Sequence, residues 1–263
     1  MARVHATALV DPHAELADDV EIGPYCVVGP QVKLGPGTVL DAHVIVDGRT
    51  TIGRSNRFFP FCAIGGVPQD KKYGGEATEL VIGDGNTVRE HCTFSLGTAQ
   101  GGGVTRIGSD NWIMASVHVA HDCTIGDHTI LANNVTLAGH VTLGDWAILG
   151  GLSGLHQFCS MGEHAMAGGG SIILRDIPPY VICNGSPCAP HGINSEGLKR
   201  RGFDTDTVNL LRRAYKLIYR DGRTVAEAVA ALDELVAEAA PASAAAIALL
   251  RDFVRDSPRG IIR

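Results

Sequence analysis

The sequence predicts a mainly β solenoid, a parallel β-helix of hexapeptide repeats followed by a small α-helical C-terminal domain. Three observations carry the prediction. An apolar residue recurs at every sixth position from Val4 to Ile173, with two interruptions. A second position, four residues after each beat, holds small or β-branched residues. Beyond Ile173 the beat stops and helical signals replace it. Neither an α-helix nor an alternating strand has a period of six. A beat of six is the mark of a parallel β-helix, in which each repeat forms one short side of a coil.

The first stretch of the beat runs Val10, Leu16, Ile22, Val28, Leu34, Leu40, Val46, Ile52, Phe58 and Ile64. It returns at Ile82, Val88 and Phe94, and again from Ile107 through Ile113, Val119, Ile125, Leu131, Leu137 and Leu143 to Ile173. Each of these side chains points into a narrow prism and contributes roughly 1.5–3 kcal/mol on burial. The companion position reads Cys26, Val32, Thr38, Asn56, Cys62, Cys92, Val117, Cys123, Thr129, Val135, Val141, Ala147, Ser153, Cys159 and Ala165. Gly often follows the beat, as in Ile22-Gly23, Leu34-Gly35 and Ile52-Gly53, which suggests a corner with backbone angles that favour glycine. The solenoid is expected over residues 1–190.

Two insertions interrupt it. Residues 65–79 lack the beat but keep its phase, and residues 95–106 shift it by one. A solenoid accepts insertions as loops that leave the coil. The first loop holds Gln69, Asp70, Lys71, Lys72 and Tyr73 between glycine pairs. It reads either as a solvated loop or as one that carries cations over an anionic substrate.

Residues 191–263 read helical. Asp204-Thr205-Asp206 resembles a cap for a helix of about residues 205–220, with Val208, Leu211, Tyr215 and Ile218 on one stripe. Thr224-Val225-Ala226-Glu227 fits a capping box. The helix that follows carries Val225, Val229, Leu232 and Val236 on one side and stops near Pro241, and a last one runs from about Ser243 to Arg255.

Composition excludes several classes. The net charge of −6 argues against nucleic-acid binding. No run of apolar residues is long enough to span a membrane, and no signal segment is evident. The seven Cys contain no C-x-x-C, and five fall on the inward position, so a reduced, cytoplasmic protein is expected. Cys183 and Cys188 lie outside the beat. Charge is uneven: residues 1–190 hold 10 Lys+Arg against 18 Asp+Glu, residues 191–263 hold 12 against 10. The basic excess lies between Lys199 and Arg223, and includes Arg200, Arg201, Arg212, Arg213, Lys216 and Arg220. Such a run is either a solvated helix face or a dock for an acidic protein or phosphate.

With three hexapeptides per coil, equivalent points lie eighteen residues apart. His121 then aligns with Gly139, next to His140, and with Gln157, next to His156. His118 and Asp122 flank the first of these. Three histidines on one vertical line, one coil apart at roughly 4.8 Å, are expected to share a ligand. Imidazole suits general acid–base work near neutral pH, and clustered imidazoles also suit Zn²⁺. His5, His13, His43, His91, His128, His164 and His191 read as surface or satisfied histidines. No nucleophile elbow, phosphate loop or dinucleotide fingerprint is present.

Several segments together resemble one family end to end. They are Gln69-Asp70-Lys71-Lys72-Tyr73-Gly74-Gly75-Glu76, His118-Val119-Ala120-His121-Asp122-Cys123, Leu131-Ala132-Asn133-Asn134, Leu137-Ala138-Gly139-His140-Val141, His156-Gln157-Phe158, and Asn194-Ser195-Glu196-Gly197-Leu198-Lys199-Arg200-Arg201-Gly202-Phe203. The chain is similar to the UDP-N-acetylglucosamine O-acyltransferases that begin lipid A synthesis in bacteria with an outer membrane. The resemblance implies a left-handed β-helix that forms a homotrimer with an active site in each inter-subunit cleft. It implies transfer of a 3-hydroxyacyl group from acyl carrier protein to the glucosamine 3-hydroxyl. It assigns His121 as general base, Asp122 as its orienting partner, and the Gly139 N–H to the oxyanion. His118, His140, His156, Gln157, Gln69, Asp70, Lys72, Asn194, Glu196, Arg200 and Arg201 are implied to bind substrate, and Gly169 to set acyl length, with a lean towards longer chains. Lys199, Arg212, Arg213, Lys216 and Arg220 would dock the carrier protein. No metal or cofactor is implied beyond the phosphopantetheine the donor carries. Ser95-Leu96 departs from the family, where basic residues usually precede Gly97-Thr98, and puts a local substrate or subunit contact in doubt. Rival readings are an N-acylating or coenzyme A-dependent relative, a zinc hydratase and a non-catalytic scaffold.

Overall fold

A computed structural model describes residues 1–263. Short strands, mostly of two residues, wind into a triangular prism whose faces are sheets of 11, 9 and 8 strands, parallel but for the last strand of the first. The first face begins with Arg3–Val4, the second with Leu9–Val10 and the third with Glu15–Leu16. Registers repeat every eighteen residues along the uninterrupted coils, as in His118↔Thr136 and Ile130↔Ile148, and shorten at the last coil, where Met166 pairs with Ile182. The insertions after Ile64 and after Phe94 both leave the corner between the second and third faces.

The beat residues are the core. Leu40, Phe58, Ile64, Ile113, Leu131, Leu137 and Leu149 are essentially inaccessible, as are Cys26, Cys62, Cys92, Cys123 and Cys159 at the companion position. Burial pushes the Cys123 thiol up to about 12. Where that position is polar, its side chains pair up the axis. Asn56 Oδ1 accepts from Asn86 Nδ2 at 2.9 Å, and Asn111 Oδ1 accepts from Thr129 Oγ1 at 2.7 Å.

The corners differ from the sequence expectation. The left-handed residue is the third after the beat, and it is seldom glycine: Tyr25, His43, Phe61, Asp122, His128, His140, Trp146 and His164 all have φ between 57° and 67°. The glycine after the beat serves close approach instead. A Cβ on Gly35 would lie 2.6 Å from the backbone of Gly53 in the next coil. The left-handed residues stack in ladders up the corners. Tyr25, His43, Phe61 and His91 follow one another at 5.0–5.1 Å. On another corner, His128, Trp146, His164 and Tyr180 do the same at 4.1–6.2 Å.

The outward residues give the faces different chemistry. The first face carries Arg3, Glu21 and Arg57 on its early coils and Trp112, Ile130, Ile148, Met166 and Ile182 on its later ones. Leu9, Val27, Ile45 and Ile172 stand on the second. The third presents Glu15, Lys33, Arg106, Thr124 and Thr142.

An antiparallel hairpin, Val181–Asn184 with Ala189–Ile193, closes the prism. Four helices follow: α1 Ser195–Arg200, α2 Thr205–Tyr219, α3 Val225–Glu238 and α4 Pro241–Asp256. Asp204 caps α2 and the Thr224–Glu227 capping box opens α3. Two details differ from the sequence reading. α3 buries Ala228, Leu232 and Leu235 and packs on α4, leaving Val225, its first residue, exposed. α4 starts with Pro241 itself, whose fixed φ suits a first helical position. No helix is long and apolar enough to cross a membrane.

Candidate active site

The corner between the second and third faces holds a polar cavity of about 700 Å³. Gln69, Asp70, Lys71, Lys72, Gln100, Gly101, His121, His140, Gln157 and Phe158 line it. Eighteen-residue spacing puts His121, Gly139 and Gln157 at one register point. Gly139 lies directly against the His121 ring, so a Cβ on it would sit 2.5 Å from Cε1. The next register point holds Asp122, His140 and Phe158, and the His140 and Phe158 rings stack at 4.3 Å. His121 and His140 meet edge to face at 5.2 Å.

His121 Nδ1 lies 2.8 Å from Asp122 Oδ2. The Asp122 side chain is 0% exposed, against 14% for His121, so the pair is open to the cavity only through the imidazole. A buried carboxylate accepts but cannot donate, so Nδ1 carries the proton and Nε2 is left as a base. Burial lowers the pKa of His140 and of His118, and the neighbouring His121 lowers both further. Asp70 is lowered chiefly by the Lys72 backbone N–H. Its Oδ2 also accepts from Gln100 Nε2 at 3.0 Å, which braces the first loop on the second.

His121, Asp122 and His140 offer ligand atoms within 4.8 Å of one another. Asp122 already spends Oδ1 on the Thr98 N–H and Oδ2 on the Thr98 hydroxyl and His121. With three of its roughly four acceptor sites taken and its side chain enclosed, the carboxylate suits a proton-handling pair better than a metal centre.

The histidine column is incomplete. His156 stands one residue before the shared register point, exposed, with Nδ1 on the Gln157 carbonyl at 3.0 Å and 3.4 Å from Arg259 Nη2. His118 is on the second face, its Nδ1 2.7 Å from Thr93 Oγ1. Neither lines the cavity. Gly169 sits on the corner between the first and second faces, exposed. Asn194 caps α1: its Oδ1 accepts from the Gly197 N–H at 3.1 Å, and its Nδ2 donates to the His164 carbonyl at 3.0 Å. Arg201 stacks over Trp146 at 4.8 Å and approaches His164 Nδ1 at 3.3 Å. Asn194, Glu196, Arg200 and Arg201 therefore gather on the corner between the third and first faces, away from His121 within one chain. Glu196 pairs with Lys199 at 3.0 Å. Arg212 binds Asn209 and Ser195, Arg213 faces Glu238 at 3.8 Å, and Lys216 and Arg220 are exposed.

Gln100, Gly101 and Phe158 join the cavity without a sequence signal of their own; only the eighteen-residue register of Phe158 with His140 points to it. Leu96 is buried against Gly48, so this family departure belongs to the packing of the loop root.

A prism of hexapeptide coils with an imidazole–carboxylate pair at one corner defines a hexapeptide-repeat transferase. Residues 105–139 match the bacterial transferase hexapeptide model, and residues 176–262 match domain 2 of UDP-N-acetylglucosamine O-acyltransferase. The acyl-[acyl-carrier-protein]–UDP-N-acetylglucosamine O-acyltransferase of Thiobacillus denitrificans is 57% identical over 263 residues, all of both chains. The UDP-N-acetylglucosamine O-acyltransferase of Moraxella catarrhalis superposes with a TM-score of 0.95 at 46% identity over 99% of both chains. LpxA from Acinetobacter baumannii gives 0.94 at 49% identity, again over 99% of both. The chain belongs to the UDP-N-acetylglucosamine O-acyltransferase family.

Proposed function

We propose that the protein moves a 3-hydroxyacyl group from acyl carrier protein to the 3-hydroxyl of UDP-N-acetylglucosamine, the first step of lipid A biosynthesis. The observation that carries the mechanism is the His121–Asp122 pair, held at 2.8 Å and opening onto a cavity lined by Lys71 and Lys72. His121 Nε2 takes the proton of the sugar hydroxyl as its oxygen attacks the thioester carbon. The Gly139 N–H stabilises the tetrahedral oxyanion, a donor worth roughly 2.7–4 kcal/mol. Collapse expels the phosphopantetheine thiolate, which takes the proton back from His121. The products are the sugar ester and the free carrier thiol, with no metal or further cofactor. Asp70, Lys72, Gln69, His140 and Gln157 bind the nucleotide sugar or thioester arm, and His118 and His156 line the approach.

We read the coil as left-handed and the assembly as a homotrimer. The outward chemistry of the faces supports the trimer, and the likeness to the family supports the hand. The apolar stretches of the first and second faces flank one corner, so three prisms with that corner on a threefold axis bury first face against second and leave the polar third face in water. The His121 corner of one copy then borders the Asn194–Arg201 corner of the next. The two clusters differ by about two coils in height, roughly 10 Å, a span that suits an extended nucleotide sugar. Glu196, Arg200 and Arg201 hold its uridine diphosphate end across that cleft, Asn194 fixing the start of their helix, and Gly169 leaves room for the acyl tail. Lys199, Arg212, Arg213, Lys216 and Arg220 dock the acidic carrier. Seven unpaired thiols and a carrier-bound donor support a cytoplasmic setting.

The test is transfer by the purified protein with UDP-N-acetylglucosamine and carrier-bound 3-hydroxyacyl chains of several lengths. Ester should form with the parent protein and be lost with His121→Ala while the assembly stays intact. Turnover like the parent's by His121→Ala would refute the mechanism.

A further inference from the structure

Thr98 opens the second loop, just before the short turn Ala99–Gly101, and is 1% exposed. Both of its donors end on Asp122. The backbone N–H reaches Oδ1 at 2.8 Å and the hydroxyl reaches Oδ2 at 2.6 Å. That same Oδ2 receives His121 Nδ1. On the other sides, the Asp122 N–H donates to Thr105 Oγ1 at 2.8 Å, and Gly101 packs so closely that a Cβ there would lie 2.1 Å from the carboxylate carbon. An insertion that the solenoid itself does not need thus encloses the carboxylate behind the base.

We infer that Thr98 is a positioning residue of the transfer reaction, the outer member of a Thr98–Asp122–His121 chain. The inference rests on the reading of His121 as general base. An ionised carboxylate only accepts, so the Thr98 hydroxyl must donate to it. Two bonds on Oδ2 and one on Oδ1 fix the carboxylate plane, which fixes the imidazole through Nδ1 and aims Nε2 into the cavity. Without the hydroxyl, the carboxylate keeps one backbone bond and can turn about its Cβ–Cγ axis. Its charge, less shared, also holds the imidazolium proton more firmly. The other titratable and charged groups facing His121 are His118, His140, Asp70, Lys71 and Lys72. Substitution at Thr98 leaves all of them in place.

Thr98→Val keeps the volume and removes the donor; Thr98→Ser restores it. Both are assayed as the full-length protein, with kcat and KM followed across pH and folding followed by thermal melting. Thr98→Val should lower kcat roughly 10- to 100-fold, leave both KM values within about twofold, and move the acid limb of kcat/KM to higher pH. Thr98→Ser should return kcat and the limb to the parent's values. A folded Thr98→Val with the parent's kcat and pH profile overturns the inference, and so does a loss that Thr98→Ser shares. Should Thr98→Val not fold, Thr98→Ala and Thr98→Ser are compared, and equal rates overturn it. If the parent transfers no acyl group, the functional reading and this inference fall together. An active parent with an indifferent Thr98 removes this inference alone.

Discussion

Adding one methyl group at Gly139 strikes the base without removing any group assigned to chemistry. Gly139 has no left-handed φ, so alanine fits its backbone. The new Cβ would lie 2.5 Å from Cε1, 2.7 Å from Nε2 and 3.1 Å from Nδ1 of His121. Carbon atoms rest at about 3.5–4.0 Å, so the ring must withdraw by roughly 1 Å. It cannot do so along its plane without stretching the 2.8 Å bond to Asp122, whose side chain is enclosed. A misplacement of about 1 Å costs on the order of 10²-fold in rate, or roughly 2.7 kcal/mol of barrier. Overpacking costs about 1–3 kcal/mol of stability in a tight core. The low end is expected here, because the ring can yield into the cavity. The assay is steady-state transfer from 3-hydroxyacyl carrier protein, with thermal melting alongside. The kcat of Gly139→Ala is expected to fall about 100-fold. It also expects His121→Ala/Gly139→Ala to be no slower than His121→Ala alone, since both lesions act through one ring. A folded Gly139→Ala within twofold of the parent would refute the reasoning, as would additive losses in the double variant.

Two further outcomes are expected. Burial, and then the Arg201 charge, hold His164 down at about 4, against roughly 6.5 in an unfolded chain. Between those values the unfolded chain binds the extra proton, so stability is full above about pH 6.5 and is lost as pH falls towards 4. His164→Phe keeps the stack with Trp146 and Tyr180, and melting temperatures should then vary less with pH across that window; an unchanged slope would exclude His164 as the source. Lys216→Glu/Arg220→Glu should raise KM for the acyl carrier about tenfold at low salt, converging with the parent as salt rises, while kcat and the sugar KM hold. Equal KM values at low salt would remove the exposed α2 face from docking.

The solenoid is legible because its core is one-dimensional. Leu131 or Leu149 must face the prism whatever the rest of the coil does, so a period of six survives in the letters. The corners are less legible. Coil geometry imposes φ near 60° on His140, Trp146 or Asp122, and no glycine announces it. The histidine column fails in detail for the same reason as a strand slipped by one. His121, His140 and His156 occupy three adjacent register points, and only two of the rings meet. Asn194 looks like a polar ligand in the sequence, yet both ends of its amide serve the start of α1 and the His164 turn. Thr98 and Gln100 escape the spacing because loops, not coils, bring them to the corner.

Mixed assemblies test most directly whether one site draws on two chains. His121→Ala and Arg200→Ala chains, each expected to be inactive alone, are co-expressed with different tags and the mixed species purified. Shared clefts predict recovered transfer, since about one interface in three of every mixed trimer then pairs an intact His121 corner with an intact Arg200 corner. Mixed assemblies no more active than their parents would contradict a site divided between neighbouring subunits.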